Sequence, residues 1–384
     1  MSTSKRIRLT PGQLMVHLGL LLLVILWILP TVGLLVSSFR DKDQLAATGW
    51  WTALSTSVQN GQGRTGTREQ MVETDGKFVI AGNLLDDSKR TILTFNTNFR
   101  DLTAYKAGEA LTFKDQSQIR VEADGSYRWE SEQPIEEKRG KRIFFVAESP
   151  PTFTLDNYIE VLTSEGIGQS FLNTFVVTIP ATIILITIAA FAAYAFAWMQ
   201  FPGRQFLFVV VVGLLVVPLQ MSLIPLLRMY NNIGALLDVS AKSYVGIWLA
   251  HTGFGLPLAI YLLRNYIRSL PRDIIESARM DGASHFQTFT RVVVPLSVPA
   301  LASFTIFQFL WVWNDLLVAL VFLGKGDDQI VLTSKMRELL GSRGDNWEIL
   351  TSSAFISIIV PLVVFFALQR YFVRGLVAGS VKGG

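Results

Sequence analysis

The chain has 384 residues, half of them hydrophobic and 17% charged, with a formal net charge of +4. A mean hydropathy of +0.40 is too high for an ordinary soluble domain, and runs of about 20 apolar residues, the length that crosses a bilayer core as a helix, recur along the chain. With no cysteine, disulfides, thiolate metal sites and cysteine nucleophiles are excluded, and the excess of Lys and Arg reads as cytoplasmic loop charge, not as a nucleic-acid surface.

The first predicted span runs from Leu14 to Ser37, behind Lys5, Arg6 and Arg8. Its apolar run exceeds a signal-peptide core and no small-residue cleavage site follows, so a retained helix with a cytoplasmic N-terminus is expected. From Arg40 to Gly168 the chain turns polar. "KFVIAGNLL", "RTILTFNTNF", "SYRWES" and "KRIFFVAE" alternate at period two and predict strands, with turns at "DDSK" and "ADGS". The glycine-rich "SVQNGQGRTGTREQ" reads as a flexible linker, and "TLDNYIEVLTSEG" as a helix capped by Thr154 or Asp156. Further spans are predicted at Phe171–Met199, Phe206–Met229, Tyr244–Tyr266, Val298–Leu323 and Leu350–Phe372. The polar loops "NNIGALLDVSAKS" and "GKGDDQIVLTSKMRELLGSRGDNWE" separate some of them.

Six spans put both termini on one side. Arg204, Arg264, Arg268, Arg272, Arg279, Arg291, Arg370, Arg374 and Lys382 fall on that side, as the positive-inside rule asks of the cytoplasm. The expected fold class is therefore an α-helical polytopic membrane protein with six transmembrane helices and a small β-rich extracytoplasmic domain. Its parts are residues 1–39, the cytoplasmic N-terminus and first helix; 40–168, the periplasmic β-rich insert; 169–372, a five-helix core with a cytoplasmic loop at 268–295; and 373–384, a cytoplasmic tail.

The spans are more than anchors. Pro180, Pro218, Pro225, Pro257, Pro299 and Pro361 sit in or near them, and backbone groups freed by proline are tolerated at membrane depth where protein or a wet cavity surrounds them. Ala189, Ala193 and Ala197 form a stripe for close helix approach. Gln220, Ser222, His251, Gln308, Asn314 and Asp315 are the candidates for lining a pathway. For Asn314 and Asp315 a second reading stands, an outer aromatic belt with Trp311 and Trp313.

The cytoplasmic stretch "IIESARMDGASHFQTFTRVVVP" carries helix punctuation. Pro271, Asp273 and Glu276 mark a start, Gly282 suits a left-handed C-terminal cap, and Ser284 can cap a second short helix on which Phe286 and Phe289 share a face. Ala278 and Ala283 allow close backbone contact. By physics alone the element is either a knob for a partner's groove or an amphipathic connector resting on the bilayer.

The same residues resemble the EAA loop of ABC importer permeases. Glu276, Ser277 and Ala278 match its first triplet, Gly282 its glycine, and Val292 to Pro295 its apolar end. "NYIEVL", "AAYAFAW" and "RGLVAGSVKG" resemble the carbohydrate, maltose-permease-like branch. "LRNYIRSLP", "FQFLWVWNDLLVALVFLG" and "GKFVIAGNLL" resemble its α-glucoside permeases, whose substrates include sucrose, maltose and trehalose. The resemblance implies one permease subunit of a heterodimer, worked by two ATPase subunits that bind ATP and Mg and supplied by a periplasmic solute-binding protein, in the bacterial inner membrane among its lipids. It implies ATPase coupling through Glu276, Ser277, Ala278, Asp281, Gly282, Ala283, Phe286 and Pro295. It also implies tail contacts at Gly375, Gly379 and Lys382, and a loop from Lys325 to Asp345 that dips into the binding protein.

No Walker A sequence, H-E-x-x-H or G-x-S-x-G occurs, and His17, His251 and His285 are scattered. No catalytic residue, no metal and no cofactor of its own is expected of this chain. A polyol importer of the same architecture and a receptor with an extracytoplasmic sensor are the alternatives.

Overall fold

The computed structural model of the chain describes residues 10–380, apart from 75, 86–88, 164–165 and 343–345. Two compact units are formed, Met1–Leu155 and Asp156–Gly384.

The first unit opens with α1 (Pro11–Ser38). Thr10 and Gln13 close a reciprocal capping box at its start, and its apolar side chains from Leu14 to Leu29 are exposed, as on a helix that faces lipid. After α2 (Lys42–Ala47) and a 3-10 turn at Trp50–Thr52 come β1 (Ser57–Arg64), β2 (Val72–Thr74), β3 (Lys77–Asn83), β4 (Thr91–Asn96), β5 (Tyr105–Lys106), β6 (Ala110–Thr112), β7 (Gln118–Val121), β8 (Ser126–Ser131) and β9 (Arg142–Ser149). They make two antiparallel sheets, β1-β9-β4-β5 and β2-β3-β8-β7-β6. Alternate residues of each sheet turn inward, and Ile92, Phe95, Ile143 and Phe145 of one share a core with Ile80, Ile119, Val121 and Trp129 of the other. The four strands expected from alternation are β3, β4, β8 and β9. "ADGS" is a turn in which Asp124 accepts from Ser126 and Gly125 has φ +83°, while the first three residues of "DDSK", 86–88, lie outside the described residues.

The expected linker is in fact largely a strand. β1 pairs with β9 along its whole length, from Ser57↔Ser149 to Arg64↔Arg142. Its inward positions are Ser57, Gln59, Gly61 and Gly63, so no apolar alternation marks it. The glycines are there for close packing: a Cβ on Gly61 would overlap the ring of Phe145, directly across the ladder. An aromatic ring covering a glycine on an edge strand supplies the packing that the missing side chain does not.

The second unit contains α3 (Asp156–Thr163), α4 (Ile167–Trp198), α5 (Arg204–Leu214), α6 (Leu219–Leu237), α7 (Tyr244–Arg268), α8 (Arg272–Met280), α9 (His285–Thr288), α10 (Val294–Trp313), α11 (Leu317–Phe322), α12 (Leu332–Ser342) and α13 (Trp347–Ser380). Among the described residues five helices are long and apolar enough to cross a membrane. The bent pair α5–α6 makes a sixth if it is one span. α4 and α7 lie along one another through Ala189, Ala193 and Ala259, all fully buried. At Gly255 a Cβ would overlap the Leu185 side chain. Small residues of this kind let two helices approach closely inside a bilayer.

Three sequence expectations are corrected here. The third span is broken: α5 and α6 meet at 108°, and Pro218 begins α6 with φ −65° and ψ 126°, so the chain turns where proline disfavours helix in the residue before it. The loop expected from Asn231 is helical through Leu237, because the helix is stopped by Asp238 in the left-handed region. The fifth span ends at Trp313, and Asn314 to Leu316 separate it from the short α11. Gly375 and Gly379 lie on the last turns of α13, and Lys382 lies outside the described residues.

Candidate functional site

The cytoplasm-type loop folds into two short helices, as its punctuation predicts. α8 follows Pro271 and ends in a Schellman motif: Ala283 N–H donates to Ala278 O at 3.1 Å and Gly282 N–H to Arg279 O at 3.0 Å, with Gly282 at φ +81°. Ser284 then caps α9, its hydroxyl accepting from Gln287 N–H while Gln287 Oε1 accepts from Ser284 N–H. A π turn at Phe289–Val293 leads into α10 just before Pro295. Proline lacks the N–H of a regular turn and crowds the preceding carbonyls, so a wider turn fits there.

The two faces of this helix pair differ. On the inner face Ile275, 1% exposed, enters a core with Leu263, Ile267, Phe289 and Val293. Phe191 of α4 lies 4.5 Å from Phe289 and is stacked on Phe286 at 6.4 Å, ring centre to ring centre. The Tyr194 hydroxyl and His285 Nδ1 are hydrogen-bonded at 3.0 Å. Trp198 at the end of α4 donates to Ile267 O at the end of α7. On the outer face Glu276, Ser277, Asp281 and Gly282 are exposed, with Met280, while Phe286 is exposed at the edge between the two faces. Ala278 and Ala283 are half-buried, and Pro295 is exposed. Glu276 makes no ion pair among the described residues. Sequence reasoning found the outer residues and both caps but missed Ile275, Phe191 and Tyr194, whose contacts depend on distant parts of the chain.

A cavity of about 460 Å³ opens at the bend between α5 and α6. Leu214, Leu219, Ser222, Phe254, Gly255, Phe304, Gln308 and Trp311 are among its lining residues. Most are apolar, with Ser222 and Gln308 as polar exceptions, a lining usual for small-molecule sites. The Gln308 side chain is fully buried and its amide pairs with no protein group among the described residues.

The other pathway candidates are not gathered there. His251, 1% exposed, and Asp315 approach each other at 3.8 Å across a void of only about 10 Å³, beside Thr174 and Trp313. Asp315 also accepts from Ala319 N–H at the start of α11. Gln220 is exposed, and Asn314 is exposed and donates to Leu310 O. Trp313 is buried and donates to Ser357 O, and Trp311 packs edge-on against His251. The two tryptophans therefore do not form a belt facing lipid. The loop before α12 is fastened to α4, where Asn173 donates to Asp327 O and Ile330 O and Thr174 accepts from Leu332 N–H.

Residues 170–377 match the family model described as the binding-protein-dependent transport system inner membrane component. The chain belongs to that family. This permease is 64% identical over 377 residues to the alpha-glucoside transport system permease protein AglG of Rhizobium meliloti, covering 98% of this chain and 99% of that one. It is 44% identical over 370 residues to the osmoprotective compounds uptake permease protein GgtD of Synechocystis, covering 96% of this chain and 92% of the relative. The permease also resembles a chain in the crystal structure of a bacterial ABC transporter that imports the acidic polysaccharide alginate, with a TM-score of 0.50 at 24% identity over 58% of this chain and 81% of the other. That likeness extends to the fold. The whole-length matches include the β-rich insert, and the family is one of ABC importer permeases with several apolar helices.

Proposed function

We propose that this permease carries α-glucosides of the sucrose, maltose and trehalose type across the inner membrane by alternating access, driven by separate ATPase subunits. The observation that carries the reading is the split between the faces of the α8–α9 pair: one is riveted to α4 and α7, and the other is exposed around Glu276. A push on the outer face reaches the bundle through Ile275, packed in the core with α4 and α7, and through the contacts of Tyr194 and Phe191 with α9 and the π turn. α4 continues to Leu185, which touches α7 at Gly255 on the wall of the cavity. Rocking of helices about such a site is how many transporters alternate access.

In this scheme the ATPase receives Glu276, Ser277, Ala278, Asp281, Gly282, Ala283 and Phe286, and its basic groups pair with the Glu276 carboxylate. Pro295 sets the turn where the loop rejoins its span. The chain has no phosphate-binding loop of the Walker type, so ATP and Mg belong to two ATPase partners. A second permease completes the membrane pore. A periplasmic binding protein delivers sugar near the loop from Lys325 to Asp345, the termini are cytoplasmic and the insert is periplasmic. Gly375, Gly379 and Lys382 belong to a tail that meets the ATPases. Gln308 and Ser222 border the cavity, and the Gln308 amide, both donor and acceptor, is the candidate partner for a sugar hydroxyl once the helices move apart.

The test is uptake of radiolabelled trehalose, maltose and sucrose by the complete importer in proteoliposomes, with Glu276→Ala as the variant. Uptake should fall in the variant while the chain still inserts into the membrane. Unchanged uptake would overturn the coupling role, and no competition among the three sugars would overturn the substrate class. The whole-length likeness to a permease for osmoprotective compounds supports a second reading, the same machine carrying a polyol-type solute. Competition by such a solute, and not by α-glucosides, would favour it.

A further inference from the structure

The segment that follows α1, "GWWTALSTSV" from Gly49 to Val58, is uncharged within an otherwise charged insert. It is also built rather than loose. Arg40, 2% exposed, donates through its guanidinium to Thr48 O at 2.9 Å, Gly49 O at 3.0 Å, Gln44 O at 3.2 Å and Thr48 Oγ1 at 2.6 Å. Gln44 in turn donates to Pro150 O and accepts from Thr152 N–H. Thr52 and Ala53 close the turn on Gly49 O and Trp50 O.

This turn folds back along α1. A Cβ on Gly33 would lie 2.7 Å from the Trp50 indole nitrogen, so the indole rests against the helix at Gly33, before its end at Ser38. At about 1.5 Å per residue an upright α1 is about 42 Å long, against a hydrocarbon core of about 30 Å. If the helix is centred, Ser38 stands about 20 Å from the midplane and Gly33 about 13 Å, just inside the hydrocarbon edge. Trp50 is therefore drawn down to the boundary between acyl chains and headgroups. On the outer side of the same turn Trp51 is 74% exposed and Leu54 84%. Phe153, 51% exposed, forms a backbone bridge with Arg40.

We propose that the Trp50–Leu54 turn is a membrane foot: Trp51 and Leu54, with Phe153, enter the lipid interface of the leaflet in which α1 ends and seat the β-rich domain on the bilayer. The occupant of this apolar patch is lipid because the turn that carries it is fixed to α1, a membrane-spanning helix, by Trp50 at Gly33 and by Arg40 just past the helix end, which holds it near the depth at which α1 leaves the hydrocarbon. Tryptophan is also the side chain most at home there, with an apolar ring and one polar N–H.

The chain has no cysteine, so single cysteines can be spin-labelled in the full-length protein in proteoliposomes. Leu54→Cys and Trp51→Cys are the probes, Val32→Cys on α1 is the membrane reference, and Val72→Cys on the exposed face of β2 is the aqueous reference. Accessibility to oxygen and to a water-soluble nickel chelate is read by power saturation. The foot predicts an oxygen-to-nickel ratio at both probes close to that at Val32 and several-fold above that at Val72. Ratios matching Val72 would overturn it, since the turn would be in water. Protection from both reagents would also overturn it, since a protein would then cover the patch.

Discussion

The cap at Gly282 gives the sharpest test of the loop. Its φ of +81° lies in the left-handed region, and no atom comes within 4 Å of the place a Cβ would take, so a substitution there is penalised by backbone conformation and not by crowding. For alanine that penalty is about 1–2 kcal/mol, which changes the population of the capped loop roughly 5- to 30-fold where the loop is marginal. Asparagine enters this region more easily and should lose less. Proline is held near φ −65° and has no N–H, so it cannot adopt the native angle and also loses the bond to Arg279 O, at about 3 kcal/mol or more. Sugar uptake by the complete importer should therefore fall in the order Gly282→Asn, Gly282→Ala, Gly282→Pro, with equal amounts of chain in the membrane. Normal uptake by the proline variant would refute the argument. So would equal losses for all three, because the graded effect is what a conformational requirement produces.

Ile275→Ala should loosen α8 from the bundle by about 2–4 kcal/mol, since a large buried aliphatic side chain is lost; limited proteolysis should then cut the loop faster, while sugar affinity of the binding protein is unchanged. Gly255→Leu should separate α4 from α7, because even a Cβ would overlap Leu185, and a lowered melting temperature in detergent is the readout. In the insert, Ser117→Ala leaves the buried Trp129 N–H without its 3.1 Å acceptor and should cost about 1–3 kcal/mol, seen as an earlier change in tryptophan fluorescence on heating. Asp115, hydrogen-bonded by Ser117, and Glu130, hydrogen-bonded by Arg128, are held below their ordinary values of 3.8 and 4.5. The stability they add is present above those values and is lost as pH falls through the lowered ones, so the insert should melt at constant temperature from about pH 8 to about pH 5.5 and lower below about pH 4.

Much of the architecture is legible because its signals are local. Long apolar runs mark the spans, and Pro271, Gly282 and Ser284 mark the ends of the loop helices within a few residues of where they act. The illegible parts depend on partners far along the chain. Pro218 breaks a span while Pro180, Pro257 and Pro361 sit inside continuous helices, and nothing in the local sequence separates them. β1 hides because its inward residues are small, and its reason for being small is Phe145, more than eighty residues on. Gln308 and Ser222 could be named from polarity, but only the fold brings them to one cavity and sends Gln220 and Asn314 elsewhere.

The insert begins and ends at one doorway. Arg40 and Phe153 are bridged strand-fashion, Thr154 N–H reaches Phe39 O at 2.7 Å, and Ser57 faces Ser149 where β1 meets β9. The two ends of the insert are therefore held together by the chain's own backbone hydrogen bonds, whatever the sheets between them carry. Excising the residues between Arg40 and Phe153 leaves a gap that a peptide bond or a short turn can close, because the two backbones are already paired there.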